Sequence, residues 1–284
     1  MSATELAGSD RVRPATRWVA IAIIPFLAVA AVLLFAAPGR SGELFAWQID
    51  PPLSAFLLAS AYVGGIWFFA RVAVARRWHH VRHGFPAVVV FAGALLVATL
   101  LHLDRFSQNL SFVVWMILYA TTPFVVAALA VAQRRADPRT PDRVDLRIPA
   151  PLRVGLAVIG AAALVTGALI FVFPGIAASV WAWQLTDLTA RVTGAVLSLT
   201  GVVNLALLTD RRWSAFRTLF QSQLLSVVAI AVSLIARRDD LRWEQPATVP
   251  FVALIALALA GYGAFTVWCE SSMRQRKADS PVST

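Results

Sequence analysis

Cysteine occurs once in the 284 residues, at Cys269, and lysine once, at Lys277. A single thiol excludes an intramolecular disulfide and a thiolate metal cluster. No lysine falls inside an apolar segment, which excludes a retinal-type Schiff base. No Asp, Glu, Lys or Arg lies at the centre of a long apolar run, which argues against a proton- or sodium-coupled transporter built on a buried carboxylate. Neither G-x-x-x-x-G-K-[ST] nor G-x-S-x-G occurs, so phosphate-loop ATPase and serine-hydrolase chemistry lack their motifs. No pattern calls for a cofactor.

What is present is apolar surface. Hydrophobic residues make up 59% of the chain and charged residues 14%, and the mean hydropathy is +0.72. These values point to the bilayer as the solvent. A crossing needs about 20 mainly apolar residues. Such runs occur from Trp18 to Ala36, Leu53 to Ala70, Phe85 to Leu103, Phe112 to Val131, Leu152 to Phe173, Leu188 to Leu208, Leu219 to Ala236 and Pro250 to Trp268. The expected fold class is therefore an all-α membrane protein with eight transmembrane helices. Of the 25 basic residues, the two tails and the second, fourth and sixth connections hold 19, and the other loops hold 6. That asymmetry places both termini in the cytoplasm of a bacterial plasma membrane. The net charge of +10 therefore reads as topology, with no nucleic acid as partner.

The chain repeats itself. PGRSGELFAWQI from Pro38 matches PGIAASVWAWQL from Pro174, with five identities in twelve at an offset of 136. RRWHHVRHGF from Arg76 matches RRWSAFRTLF from Arg211, with five in ten at an offset of 135. Arg17 and Arg153 also fall on the 136 offset. The first apolar run has arginines before it and small residues after it, as a signal peptide does, but its run is too long and it is the counterpart of the fifth, so it is expected to be retained. The expected organisation is a cytoplasmic tail at 1–16, a four-span repeat at 17–132, a solvated linker at 133–150, a second repeat at 151–270 and a tail at 271–284. An even number of spans per unit gives both units the same orientation, related by a pseudo-twofold axis along the membrane normal.

WAWQLTDLTARVTGA, from Trp181 to Ala195, concentrates polar groups where a span begins. Thr186, and Asp50 at the aligned position, have the chemistry of helix N-caps, with Pro51 at the first helical position. Asp187 sets a carboxylate against the positive end of the helix dipole. Arg191 gains nothing there and needs a partner: Asp187 one turn back, or the phosphate of a lipid or other anionic ligand. Trp47, Trp181 and Trp183 fall at the depth of the interfacial aromatic belt, accompanied by Gln48 and Gln184, whose amides suit binding of a re-entrant backbone. Asn204 is the most polar residue well inside a span, and its type bridges helices. Gly194, Ser198 and Gly201 share a face, with Gly64 and Gly65 in the other unit, as close helix contacts require. Thr121-Thr122-Pro123 and Gly261-Tyr262-Gly263 are expected to interrupt the last span of each unit. His79, His80 and His83 have metal-like spacing, yet the second unit carries Ser214, Ala215 and Thr218 instead. The shared Arg-Arg-Trp, then Arg82 or Arg217, reads as a basic, aromatic head-group anchor, and no metal site is assigned.

The string Trp181, Trp183, Leu185, Thr186, Leu188, Thr189, Ala190, Arg191, Gly194 resembles a motif of polytopic bacterial membrane proteins of unknown function. Its weaker copy, DPPLSA from Asp50, lacks the arginine, and Asp187 stands where those proteins often have proline. The resemblance implies a membrane class and no activity. Candidate ligand-binding residues are Trp47, Gln48, Trp181, Trp183, Gln184, Asp187, Arg191 and Asn204, with no catalytic residue. The leading expectation is non-enzymatic binding or transport of a lipid or other amphiphile near the outer leaflet, with membrane lipids and other membrane proteins as partners. The alternatives are an enzyme acting on a lipid-linked substrate through Glu43, Asp50 or Asp187, and a structural subunit of a membrane complex.

Overall fold

The computed structural model describes residues 10–278. Among the described residues it is all-helical, and eight helices are long and apolar enough to cross a membrane. They are α1 (Pro14–Ala36), α2 (Pro52–Val74), α3 (Gly84–Leu101), α4 (Leu110–Ala132), α5 (Ala150–Val172), α6 (Asp187–Ala206), α7 (Trp213–Ala236) and α8 (Thr248–Ala278). Each overlaps one of the expected spans, and α3, α5 and α6 stop one or two residues short of the expected end. Two run well past them: α7 begins six residues before Leu219, and α8 continues to Ala278, into the expected tail. Both extensions continue the helical backbone hydrogen bonding beyond the apolar run. The rest of the expected tails, 1–9 and 279–284, lies outside the described residues.

α2 and α6 form the centre. Their apolar windows are 67% and 61% buried by the protein itself, against 39% or less for every other span. α1 packs on α2 and α5 on α6, and α2 and α6 touch. The third helix of each half then crosses over: α3 packs against α6, and α7 against α2. α4 and α8 complete the bundle on α3 and α7.

Glycine permits the tightest of these contacts. A Cβ on Gly194 would lie 2.4 Å from the Gly167 carbonyl oxygen, and one on Gly201 would lie 2.7 Å from the Leu164 Cβ. At the α2–α7 crossing a Cβ on Gly64 would meet the Ser226 hydroxyl at 2.2 Å. Removing side chains here lets backbones approach, which is how helices associate where lipid is as apolar as leucine.

At one end of the bundle, the same backbone arrangement occurs twice. Val12 N–H donates to Arg76 and Ile148 N–H to Arg211, while Trp78 N–H donates to Asp10 and Trp213 N–H to Leu146. The Trp78–Phe85 and Trp213–Phe220 ring pairs follow the same spacing. At the opposite end Ser107 N–H donates to Ala46 and Arg242 N–H to Ala182.

Four local expectations are corrected. α2 starts at Pro52 with Pro51 as N-cap, so Asp50 lies one residue too early to cap it and instead accepts from Gln48 at 2.9 Å. α4 is continuous through Pro123 and α8 through Gly261 and Gly263. Thr121 donates to the Ile117 carbonyl at 2.7 Å just before the proline. The linker is packed rather than freely solvated: Gln133, Ala136, Asp137, Leu146 and Ile148 are all buried.

Candidate functional site

The predicted binding residues fall in several separate places. Thr186 caps α6 as expected: its hydroxyl accepts from Thr189 N–H at 3.2 Å and Thr189 Oγ1 accepts from Thr186 N–H at 2.8 Å. Gln184 and Asp187 are exposed. The Arg191 guanidinium donates to His102 Nε2 at 2.6 Å and reaches only the main-chain carbonyl of Asp187, at 3.5 Å. The ion pair expected one turn back is therefore not made. His102 is the C-cap of α3, so the contact ties the end of α3 to the start of α6. An accepting Nε2 places the imidazole proton on Nδ1. Loss of hydration and the adjacent guanidinium both hold the His102 pKa below its ordinary value.

The tryptophans are core, not belt. Trp47 is 2% exposed and packs on Phe45, Phe106 and Trp115. Trp183 is fully buried, and its indole N–H donates to Ser54 of α2 at 2.9 Å. Trp181 and Trp183 both rest on Phe251, at ring separations of 5.2 and 5.3 Å. Gln48 accepts from Gly42 N–H at 2.9 Å, binding the turn before α2 as its amide suggested. Asn204 donates to Tyr262 at 2.9 Å and bridges α6 to α8.

The basic hairpin also departs from the anchor reading. Arg82 bonds Asp137 and Asp210, and Arg217 bonds Glu270, rather than reaching for head groups. Arg212 sits between Asp137 and Asp210, with all three side chains 7% exposed or less. His83 stacks on Phe216 at 4.7 Å, accepts from Arg82 Nε at 3.1 Å and lies against Asp210. Burial lowers its pKa, ahead of the opposing pull of Asp210. For Asp137 and Asp210 burial acts in the opposite sense, but hydrogen bonds and neighbouring cations hold both carboxyls below the usual range.

The concave site is a cavity of about 190 Å³ between the two halves, where one water needs roughly 10–15 Å³. Its walls come from α2, α3, α6 and α7, with Ile23 and Leu27 of α1, Leu118, Tyr119 and Thr122 of α4, and Phe251 and Ile255 of α8. Along α7 the lining runs from Leu219 to Ile230, a length of about 16 Å at 1.5 Å per residue, or half the hydrocarbon thickness. The lining is mostly aliphatic and aromatic. Tyr62 and Tyr119 meet across it, hydroxyl to hydroxyl at 3.0 Å. Ser222 donates to the Gly64 carbonyl at 2.8 Å.

Gln223 is the exception among these satisfied groups. It lines the cavity at 8% exposure, and neither its amide oxygen nor its nitrogen has a hydrogen-bond partner. None of the predicted binding residues lines this cavity; Trp181 and Trp183 stand one layer behind it, touching Phe251. Its signals in the sequence were Gly64, Gly65 and Thr122, read there as packing and a helix interruption, and a glutamine near the middle of an apolar helix. Periodicity could not say which face of α7 Gln223 occupies, because α7 is surrounded by apolar contacts on several sides.

The arrangement can enclose an elongated apolar body and offer one donor–acceptor pair to a polar group on it. It assembles no nucleophile–base pair. Comparison of the chain with family models, with curated proteins and with solved structures finds no match.

Proposed function

We propose that the protein is a multi-pass bacterial plasma-membrane protein, with cytoplasmic termini and two tandem four-span units, that binds a lipid or other amphiphile between its halves without chemically altering it. The observation that carries the binding reading is the unpartnered Gln223 amide in an apolar cavity. A buried amide without partners costs roughly 1–3 kcal/mol, and a ligand polar group removes that cost. The cavity's length and apolar walls suit a hydrocarbon chain, and Phe251 and Ile255 carry it toward the tryptophan end, the outer leaflet in this topology. The paired backbone contacts at offsets of 135 and 136 support the duplication. The basic residues of the linker end support its cytoplasmic side.

The enzymatic reading has no comparable support. Glu43 pairs with Arg40 in solvent, Asp50 holds Gln48, and Asp187 is exposed at a helix start. None of these carboxylates lines the cavity.

The test is purification of the full chain in mild detergent, followed by native mass spectrometry and extraction of retained lipid. Gln223→Leu is expected to lower lipid retention while leaving the fold intact or firmer, since it removes an unsatisfied amide. Equal retention by parent and variant, or a lipid-free parent, would overturn the reading.

A further inference from the structure

We propose that His79, His80 and Asp142 form a binding site for a divalent first-row metal cation of the zinc class at the linker end. This site is independent of the cavity. The short helical turn Trp78–His80 supplies two imidazoles and the linker supplies the carboxylate. One ligand atom from each residue lies within 4.8 Å of the other two. His79 Nε2 is 3.4 Å from Asp142 Oδ1, and His80 Nε2 is 2.8 Å from Asp142 Oδ2. A tetrahedral zinc with bonds of about 2.0–2.1 Å holds its ligand atoms roughly 3.3 Å apart.

The hydrogen bonds around His79 orient it as a ligand. Asp10 grips the residue twice, accepting from its backbone N–H at 3.0 Å and from ring Nδ1 at 2.6 Å. The proton on Nδ1 leaves the Nε2 lone pair facing Asp142, the carboxylate–histidine arrangement that supports metal ligands. Ser214 Oγ also faces Nε2, at 3.3 Å, while its own proton goes to Asp145 at 2.6 Å. Three acceptor atoms, from His79, Asp142 and Ser214, thus converge on one space. A cation would satisfy all three. Among the described residues, Arg77 pairs with the Asp142 carboxylate and Arg276 donates to the Asp145 main-chain carbonyl. Access exists, because the side chains of His80 and Asp142 are 34% and 23% exposed while His79 is enclosed. Two imidazoles and one carboxylate leave further coordination positions to water.

The experiment uses the full chain in detergent, with an affinity tag free of histidine, stripped with chelator, loaded with zinc and desalted. Metal content by mass spectrometry is expected to be about one equivalent per chain. His80→Ala and Asp142→Asn are each expected to lose it, and Asp10→Asn to weaken affinity about 10–100-fold by loosening His79. His80 is half-exposed, so its variant keeps the fold, checked by size-exclusion elution; should it elute as aggregate, His80→Gln replaces it. Retention below about half an equivalent by the parent, or equal retention by parent and His80 variant, would overturn the site.

Discussion

At the linker end of the bundle, the halves are joined by charge: Arg212 binds Asp137 of the linker and Asp210 of its own loop, and Arg82 of the first half reaches both carboxylates. At the opposite end the joining groups are Trp183, which donates to Ser54, and Arg191, which donates to His102. The first set is enclosed and mutually dependent. The second consists of separate contacts, each between two residues. A buried network fails as a unit, because removing one member leaves the others charged and dry, whereas isolated contacts fail one at a time.

Arg212→Ala is the strongest test of that contrast. It leaves Arg82 as the one guanidinium still shared by Asp137 and Asp210, and an unfolding titration in detergent is expected to show a loss of about 3–5 kcal/mol. Trp183→Phe keeps the ring packing but deletes the donor to Ser54, for an expected loss of about 1–3 kcal/mol. Acid separates the ends next. His83 has a folded pKa below the ordinary 6.5, so the unfolded chain takes up protons first as pH falls through 6.5, and stability declines with it. The Asp137 and Asp210 carboxyls, also lowered, extend the decline further into acid, below their ordinary 3.8. Melting temperature measured across this range is expected to drop, with a flatter slope in His83→Gln. His102 contributes in the same direction but is partly exposed, so its replacement changes the slope less. Arg191→Ala is the smallest effect, under about 1 kcal/mol, because its partner is a neutral, half-exposed imidazole. A loss as large as that of Arg212→Ala would erase the distinction between the ends.

The spans were legible because hydrocarbon thickness demands long apolar runs, and the α6 start because Thr186 and Thr189 form a cap from adjacent residues. Where the sequence misled, the deciding partner was distant or the pattern was locally degenerate. Arg191 looked to Asp187, four residues away, and found His102, 89 residues away. The imidazoles of HHVRH are held by Asp10, Asp142 and Asp210, none within reach of a local reading. The tryptophans carried an interfacial signature that buried stacking imitates, since an indole ring packs against buried aromatic rings as readily as it sits among head groups. In DPPLSA two prolines could each have opened α2, and the second one does. Gln223 was visible only as a polar residue in an apolar run; that it faces a void rather than a neighbouring helix depends on how seven helices leave space between them.

The crossing of α3 and α7 has a consequence for synthesis. The face of α2 that α7 covers is complete when Val74 leaves the ribosome, yet α7 begins only at Trp213. At about 5–20 residues per second the intervening stretch of about 139 residues takes roughly 7–28 s. During that interval lipid, or an insertion factor, must occupy the place of a helix not yet made. The first half therefore matures only when the second arrives. Coexpression of residues 1–140 and 141–284 as two chains should restore a protease-resistant complex, and either alone should be degraded. Survival of the first half by itself would mean that lipid fills that face as well as α7 does.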